Sequence, residues 1–265
     1  MTNLRLVDSH CHLQDKAFKN NRDNVIHEAE EAGVKSFFVP GTSISDSIAA
    51  LDLAEKYKGI YAAVGIHPHD SSRVLSNWRE ELKSLTLNKK AVAIGEIGLD
   101  YHYNFSPRDK QKEVFKTQIE IALEKNLPMV IHTRKSMEDT FQILDETGGW
   151  KAGGVFHCFP GTLAEAEHVI NKGFFISYTG VVTFKNSQNT REIVKKIPIE
   201  KLLLETDSPY MAPEPFRGKR CHPALLIHTA RVIAEIKNLS VEKIGEATSN
   251  NFARLFKLSS GPVSS

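Results

Sequence analysis

The chain has 265 residues, 41% hydrophobic and 25% charged. That is enough apolar content for a sizeable core, in a chain about as long as one eight-stranded α/β barrel, typically ~250 residues. A formal charge of +2, from 34 basic against 32 acidic residues, argues against a protein that grips duplex DNA along its whole length; any nucleic-acid contact is expected to be local, in a cleft.

Eight short apolar runs follow one another: LRLVDSHCHL (4–13), SFFVPGT (36–42), IYAAVGIHPH (60–69), AVAIGEIGLD (91–100), PMVIHTR (128–134), GGVFHCF (153–159), FFISYTG (174–180) and LLLETDSPY (202–210). Each is bounded by turn formers and reads as a strand. Their near-continuous apolarity suits parallel strands buried on both faces. Helical periodicity lies between them at 46–57, 108–126 and 162–172, and two further helices are expected near 222–237 and 240–257. In 108–126 the stripe is Phe115, Ile119, Ala122 and Leu123, ended by Asn126 and Pro128. Gly173 sits where a helix stop is expected, and Ser240 with Lys243 makes an imperfect capping box.

This alternation predicts an α/β fold: a closed (β/α)8 TIM barrel in one domain over residues 1–258, with an extra C-terminal helix. An open doubly wound sheet alternates in the same way and is the alternative. The segment SSGPVSS (259–265) reads as a flexible tail. No stretch approaches the roughly 18 consecutive apolar residues of a membrane span. The start MTNLRLVDSHCHL lacks an apolar leader core. Three cysteines with no C-x-x-C pair fit a reducing, cytoplasmic setting. Nothing demands more than a monomer.

Polar residues collect at the C-terminal ends of the apolar runs, the end at which barrels build active sites. These are His10 and His12; His67 and His69; Glu96 and Asp100; His132 and Arg134; His157; and Glu205 and Asp207. Side chains two apart on a strand share a face, so His10 pairs with His12, His132 with Arg134 and Glu205 with Asp207. By the same alternation Cys11 and Cys158 should point away from the mouth, as buried, inert thiols. His10, His12, His132, His157, Glu96 and Asp207 are then expected to converge on one pocket. Imidazoles with carboxylates suit Zn, Mn, Fe, Co or Ni, and Mg less well. Six ligands exceed the needs of one tetrahedral ion, so two divalent cations sharing a carboxylate are expected. Arg134 offers a fork for phosphate, and Glu205 an outer group that orients a ligand. Arg217, Lys219 and Arg220 offer strand-backbone attraction near the mouth. His168 and His228 fall within helical patterns and are expected to be packing or surface residues.

Seven motifs extend the pattern: VDSHCHL (7–13), AAVGIHPH (62–69), VAIGEIGLDY (92–101), LPMVIHTR (127–134), FHCFPGT (156–162), LLLETDSPYMAP (202–213) and FRGKR (216–220). In this order they resemble the TatD-type deoxyribonucleases from Val7 to about Phe256. The resemblance implies one cation held by His10, His12, Glu96 and Asp207, and a second by Glu96 as bridge with His132 and His157. It implies that His67 and Arg134 meet the scissile phosphate, and that Glu205 holds a water or a further ion. It also implies hydrolysis of DNA, often single-stranded and from the 3′ end; in a two-metal mechanism Asp207 is expected to act as general base. One departure is Cys221-His222-Pro223, where the family pattern has Asn, a variable residue and Pro. That bears on loop geometry and substrate preference, and His222 is expected either in the mouth or capping the next helix. The same barrel can also hydrolyse small amides, esters or phosphoesters, or remove a D-amino acid from transfer RNA, and a non-catalytic scaffold would not need the ligand set.

Overall fold

The computed structural model describes residues 4–103 and 105–258, so the expected tail at 259–265 lies outside the described residues. Each apolar run contributes a strand: β1 (Leu6–Asp8), β2 (Val34–Pro40), β3 (Ile60–Val64), β4 (Ala91–Asp100), β5 (Met129–Arg134), β6 (Gly154–Phe156), β7 (Phe175–Tyr178) and β8 (Leu202–Leu204). They form one parallel sheet in the order β1 to β8. The helices are α1 (Arg22–Glu31), α2 (Ile44–Lys56), α3 (Trp78–Leu85), α4 (Arg108–Lys125), α5 (Met137–Thr147), α6 (Leu163–Asn171), α7 (Gln188–Lys196), α8 (Leu226–Lys237) and α9 (Val241–Leu255). The sheet curls into a nearly closed barrel in a single domain, as the alternation predicts.

The seam between the last and first strands closes just past their ends. Ser9 N donates to Leu204 O (2.9 Å), Asp207 N to His10 O (2.9 Å) and His12 N to Ser208 O (2.8 Å). The buried Asp8 carboxylate accepts from Thr206 N (2.9 Å) and Thr206 Oγ1 (2.6 Å). These bonds fix the two segments that carry His10, His12 and Asp207 against each other.

Inside the barrel, each strand gives one apolar residue to a common layer: Val7, Phe38, Ala63, Ala93, Val130, Val155, Phe175 and Leu203. Phe252 and Leu255 of α9, with Phe256 just beyond it, pack onto that layer and floor the barrel. The Phe38 and Phe256 rings stack with centroids 4.5 Å apart. Two residues beyond the layer come His132 on β5 and, just past the ends of β6 and β8, His157 and Glu205. The polar mouth therefore follows from strand alternation above an apolar floor.

The helix starts follow their caps. Ser43 Oγ accepts from Asp46 N (3.2 Å), which moves the start of α2 to Ile44, two residues before the expected 46. Thr162 and Glu165 form a full capping box at α6. Ser240 supplies only half of one at α9, accepting from Lys243 N (3.3 Å), as expected. The segment 222–237 opens as a 3-10 turn, Pro223–Leu225, before α8 begins.

Candidate metal centre

The strands end earlier than their apolar runs, so several site residues lie on the segments just beyond. β1 stops at Asp8 and β6 at Phe156. Glu96 lies within β4, where the register with β5 runs from Ile94 opposite Met129 to Ile97 opposite Ile131. Three steps on β4 thus match two on β5. This bulge breaks the simple alternation and re-aims the side chains that follow. Glu96 N is tied to Gly41 O (2.8 Å). Gly98 (φ 139°) sits where a Cβ would run into the His132 backbone, so only glycine lets β4 and β5 meet here.

Glu96 is the hub. Its Oε2 faces His10 Nε2 (3.3 Å) and His12 Nε2 (3.8 Å). Its Oε1 faces His132 Nδ1 (2.8 Å), His157 Nε2 (2.8 Å) and His67 Nε2 (3.4 Å). Asp207 Oδ1 completes the first side, 3.5 Å from His12 Nε2 and 3.8 Å from His10 Nε2. Nitrogen meets nitrogen at 3.2 Å twice, between His10 and His12 and between His132 and His157. Lone pairs that converge in this way suit a shared cation.

Electrostatics favour the same use. Burial alone would raise the Glu96 carboxyl, but His157, His67 and His10 outweigh it and hold Glu96 well below the usual carboxylate range. Asp207 is lowered in the same way, with burial overcome by His12, His10 and His157. Burial drives His67 down to about 4, and burial with the neighbouring His157 lowers His10. Ionised carboxylates and neutral imidazoles are the forms that take divalent cations. His157, His132 and His12 go up instead: burial opposes it, but Glu96 and Glu205 prevail at His157, Asp100 and Glu96 at His132, and Asp207 and Glu96 at His12. At these three positions a cation would have to displace a proton. Among the described residues three groups could each hold an ion: His10, His12 and Glu96; His67, Glu96 and His132; and His10, His157 and Glu205.

The structure thus brings together all six expected ligands, with His67 beside them. Arg134 lines the same cavity, its guanidinium 4.8 Å from the centre of the Tyr103 ring. Glu205 is fully buried, accepting from Cys158 N (2.6 Å) and Ser177 Oγ (2.6 Å), and it approaches His157 Nδ1 at 3.6 Å. Cys11 is buried as expected, its Sγ 3.6 Å from Phe38 O.

Cys158 corrects the strand-parity expectation. It lines the mouth cavity instead of pointing away. β6 has ended two residues earlier, and Cys158 takes φ 42°, so alternation no longer applies. Burial still pushes its thiol up to about 12, so it remains an unreactive group. His222 neither lines the cavity nor makes a side-chain cap bond. Among the described residues the cavity lining excludes Arg217, Lys219 and Arg220. Arg217 lies over the Phe184 ring, and Arg220 Nη1 donates to Ala17 O (2.6 Å). His168 and His228 lie on α6 and α8.

Asp100 is the residue whose role the sequence left open. Its Oδ2 lies 3.2 Å from His132 Nε2 and 2.9 Å from His69 Nε2. With Nε2 on Asp100, the His132 ring turns its Nδ1 to Glu96. Gln111 in turn anchors Asp100, donating to its backbone O (3.1 Å) and accepting from its N (2.8 Å).

A parallel eight-stranded barrel with imidazoles and carboxylates gathered at its C-terminal mouth has the architecture of metal-dependent hydrolases. A family model described as TatD related DNase matches residues 7–257, and the chain belongs to that family. It is 42% identical over 253 residues to YabD of Bacillus subtilis, named an uncharacterized metal-dependent hydrolase, with 96% of this chain and 99% of that protein covered. It is 34% identical over 256 residues to the 3′-5′ ssDNA/RNA exonuclease TatD of Shigella flexneri, with 95% and 98% covered. Among solved structures, the TatD homologue YjjV of Escherichia coli superposes with a TM-score of 0.91 at 30% identity, covering 97% of this chain and all of that one. No described helix is long and apolar enough to cross a membrane.

Proposed function

We propose that this metal-dependent hydrolase is a nuclease that shortens single-stranded DNA from the 3′ end, using two divalent cations. The observation that carries the reading is the division of Glu96: one oxygen turned to His10 and His12, the other to His132, His157 and His67. His10, His12, Asp207 and Glu96 would hold one ion, and Glu96, His132 and His157 the other. The Shigella relative's name supports the substrate class. A cavity of about 720 Å³, within the usual range for small-ligand sites, has room for a nucleotide.

Divalent cations in such a site supply Lewis-acid chemistry, polarising water and phosphoryl oxygens. The residues do the rest. Arg134 presents its planar fork to the non-bridging oxygens and orients the phosphate. His67, held neutral by burial, offers a hydrogen bond to the same group. Asp207 takes the proton from the attacking water as the new P–O bond forms. The bond to the leaving sugar oxygen then breaks, and that oxygen is protonated from solvent at the mouth. Asp100 and Glu205 keep His132 and His157 in their working orientations.

The test uses metal-stripped protein reconstituted in turn with Mg, Mn, Zn or Co and given end-labelled single- and double-stranded DNA. A ladder growing from the 3′ end of the single strand is expected. Internal fragments would make the enzyme an endonuclease. No product with any ion, together with hydrolysis of small esters or D-aminoacyl-tRNA, would overturn the nuclease reading. Arg134→Ala is expected to lower kcat/KM by about 10²–10³-fold, the usual loss for one group stabilising transition-state charge, with metal content preserved. Loss of metal from that variant would show that Arg134 is structural.

A further inference from the structure

The loop after β4 carries two large aromatic rings that the chemistry above does not use. Tyr103 is 40% exposed and Phe105 58%. Their rings stack with centroids 5.3 Å apart and planes 15° from parallel. The loop is pinned on both sides of the pair. Asp100 Oδ1 accepts from His102 N (2.9 Å) and Tyr103 N (3.1 Å). Ser106 Oγ donates to His69 O (2.8 Å), and Gln111 Nε2 donates to Ser106 O (2.9 Å). The His69 ring lies edge-on to both aromatics, at 4.8 Å from Phe105 and 5.6 Å from Tyr103. Two rings held in place yet facing water gain little from the fold itself, because their outer surface stays hydrated.

We infer that the Tyr103–Phe105 stack is a platform for a nucleobase of the bound single strand, next to the phosphate held by Arg134. The inference rests on the nuclease reading and adds the base-contacting surface to it. Three features select a base over other planar or apolar groups. The rings stack on one another with Phe105 the more exposed, so a base can extend the stack from the Phe105 side, as bases add to aromatic side chains in single-strand-binding proteins. The Arg134 guanidinium is 4.8 Å from the Tyr103 ring centre, so phosphate fork and aromatic surface lie within the span of one nucleotide. Tyr103 lines the cavity and Phe105 stacks on it just outside, so a base seated on the pair leaves its phosphodiester toward the cavity. Stacking of this kind tolerates any base, which fits degradation without sequence preference.

The test is a binding titration on Asp207→Asn protein, chosen so that the strand is not consumed. The probes are a fluorescein-labelled deoxytrinucleotide and an abasic strand of the same length. Phe105→Leu is expected to weaken binding of the base-bearing strand about tenfold and to leave the abasic strand unchanged, with Phe105→Trp restoring affinity. Tyr103→Leu serves as the second variant, and an unchanged melting midpoint confirms the fold for each. Equal losses on both strands, no loss on the base-bearing one, or no binding of either strand would overturn the platform. If Phe105-dependent binding is found while wild-type protein releases no nucleotides, the platform stands and the nuclease reading falls.

Discussion

Glu96→Ala is expected to lower turnover by about 10³-fold or more, since Lewis-acid stabilisation worth several kcal/mol depends on the carboxylate that both halves of the site share. The expectation follows from position. Five imidazoles lie within 3.8 Å of Glu96, on both of its oxygens. Removing it takes away the shared ligand and its negative charge, so two cations held there would each lose a donor and repel one another less well screened. Glu96→Gln keeps the size and loses the charge, so its activity should fall between wild type and Glu96→Ala. Far-ultraviolet circular dichroism should be unchanged in both. A folded Glu96→Ala protein with wild-type kcat/KM would remove the bridging role.

Phe252→Ala should produce the largest loss of stability with the least effect on chemistry. Phe252 is fully buried in the barrel floor, its ring 4.8 Å from that of Phe256, 5.8 Å from Phe38 and 5.9 Å from Tyr61. Phe-to-Ala truncation in a packed core costs about 3–5 kcal/mol in lost transfer energy and cavity formation. For a chain of this size that is a fall in melting temperature on the order of 10 °C. The floor lies at the opposite end of the barrel from the mouth, so kcat measured well below the midpoint should stay near wild type. A drop of less than about 2 °C, against the several degrees that such a cavity normally produces, would show that α9 is not part of the core.

Much of this arrangement was legible in the sequence because two periodicities carried it. Eight apolar runs set the strands, and residues two apart at their ends pointed to the candidate ligands, as with His10 and His12. Legibility failed where alternation did. The bulge in β4 between Ile94 and Ile97 has no sequence signal of its own, and it decides how Glu96 and the residues after it are aimed. Cys158 was misplaced because a left-handed residue follows the end of β6. Asp100 was visible at a strand end, but its partners, His69 in the turn after β3 and His132 on β5, required the fold. Helices α1, α3, α5 and α7 are not among the sequence's expected helices; α7 buries only Ile193 and Val194, and α3 only Leu82. Tyr103 and Phe105 lie past the end of β4, where neither periodicity reaches, and their stacking comes from the path of the loop.

The most direct measurement is the metal content of reconstituted protein, by inductively coupled plasma mass spectrometry after gel filtration. We expect up to two divalent ions per wild-type chain, fewer in His10→Ala and His132→Ala, and the fewest in Glu96→Ala. A wild-type chain that retains no divalent ion under any loading condition would contradict the assignment of this mouth as a metal centre.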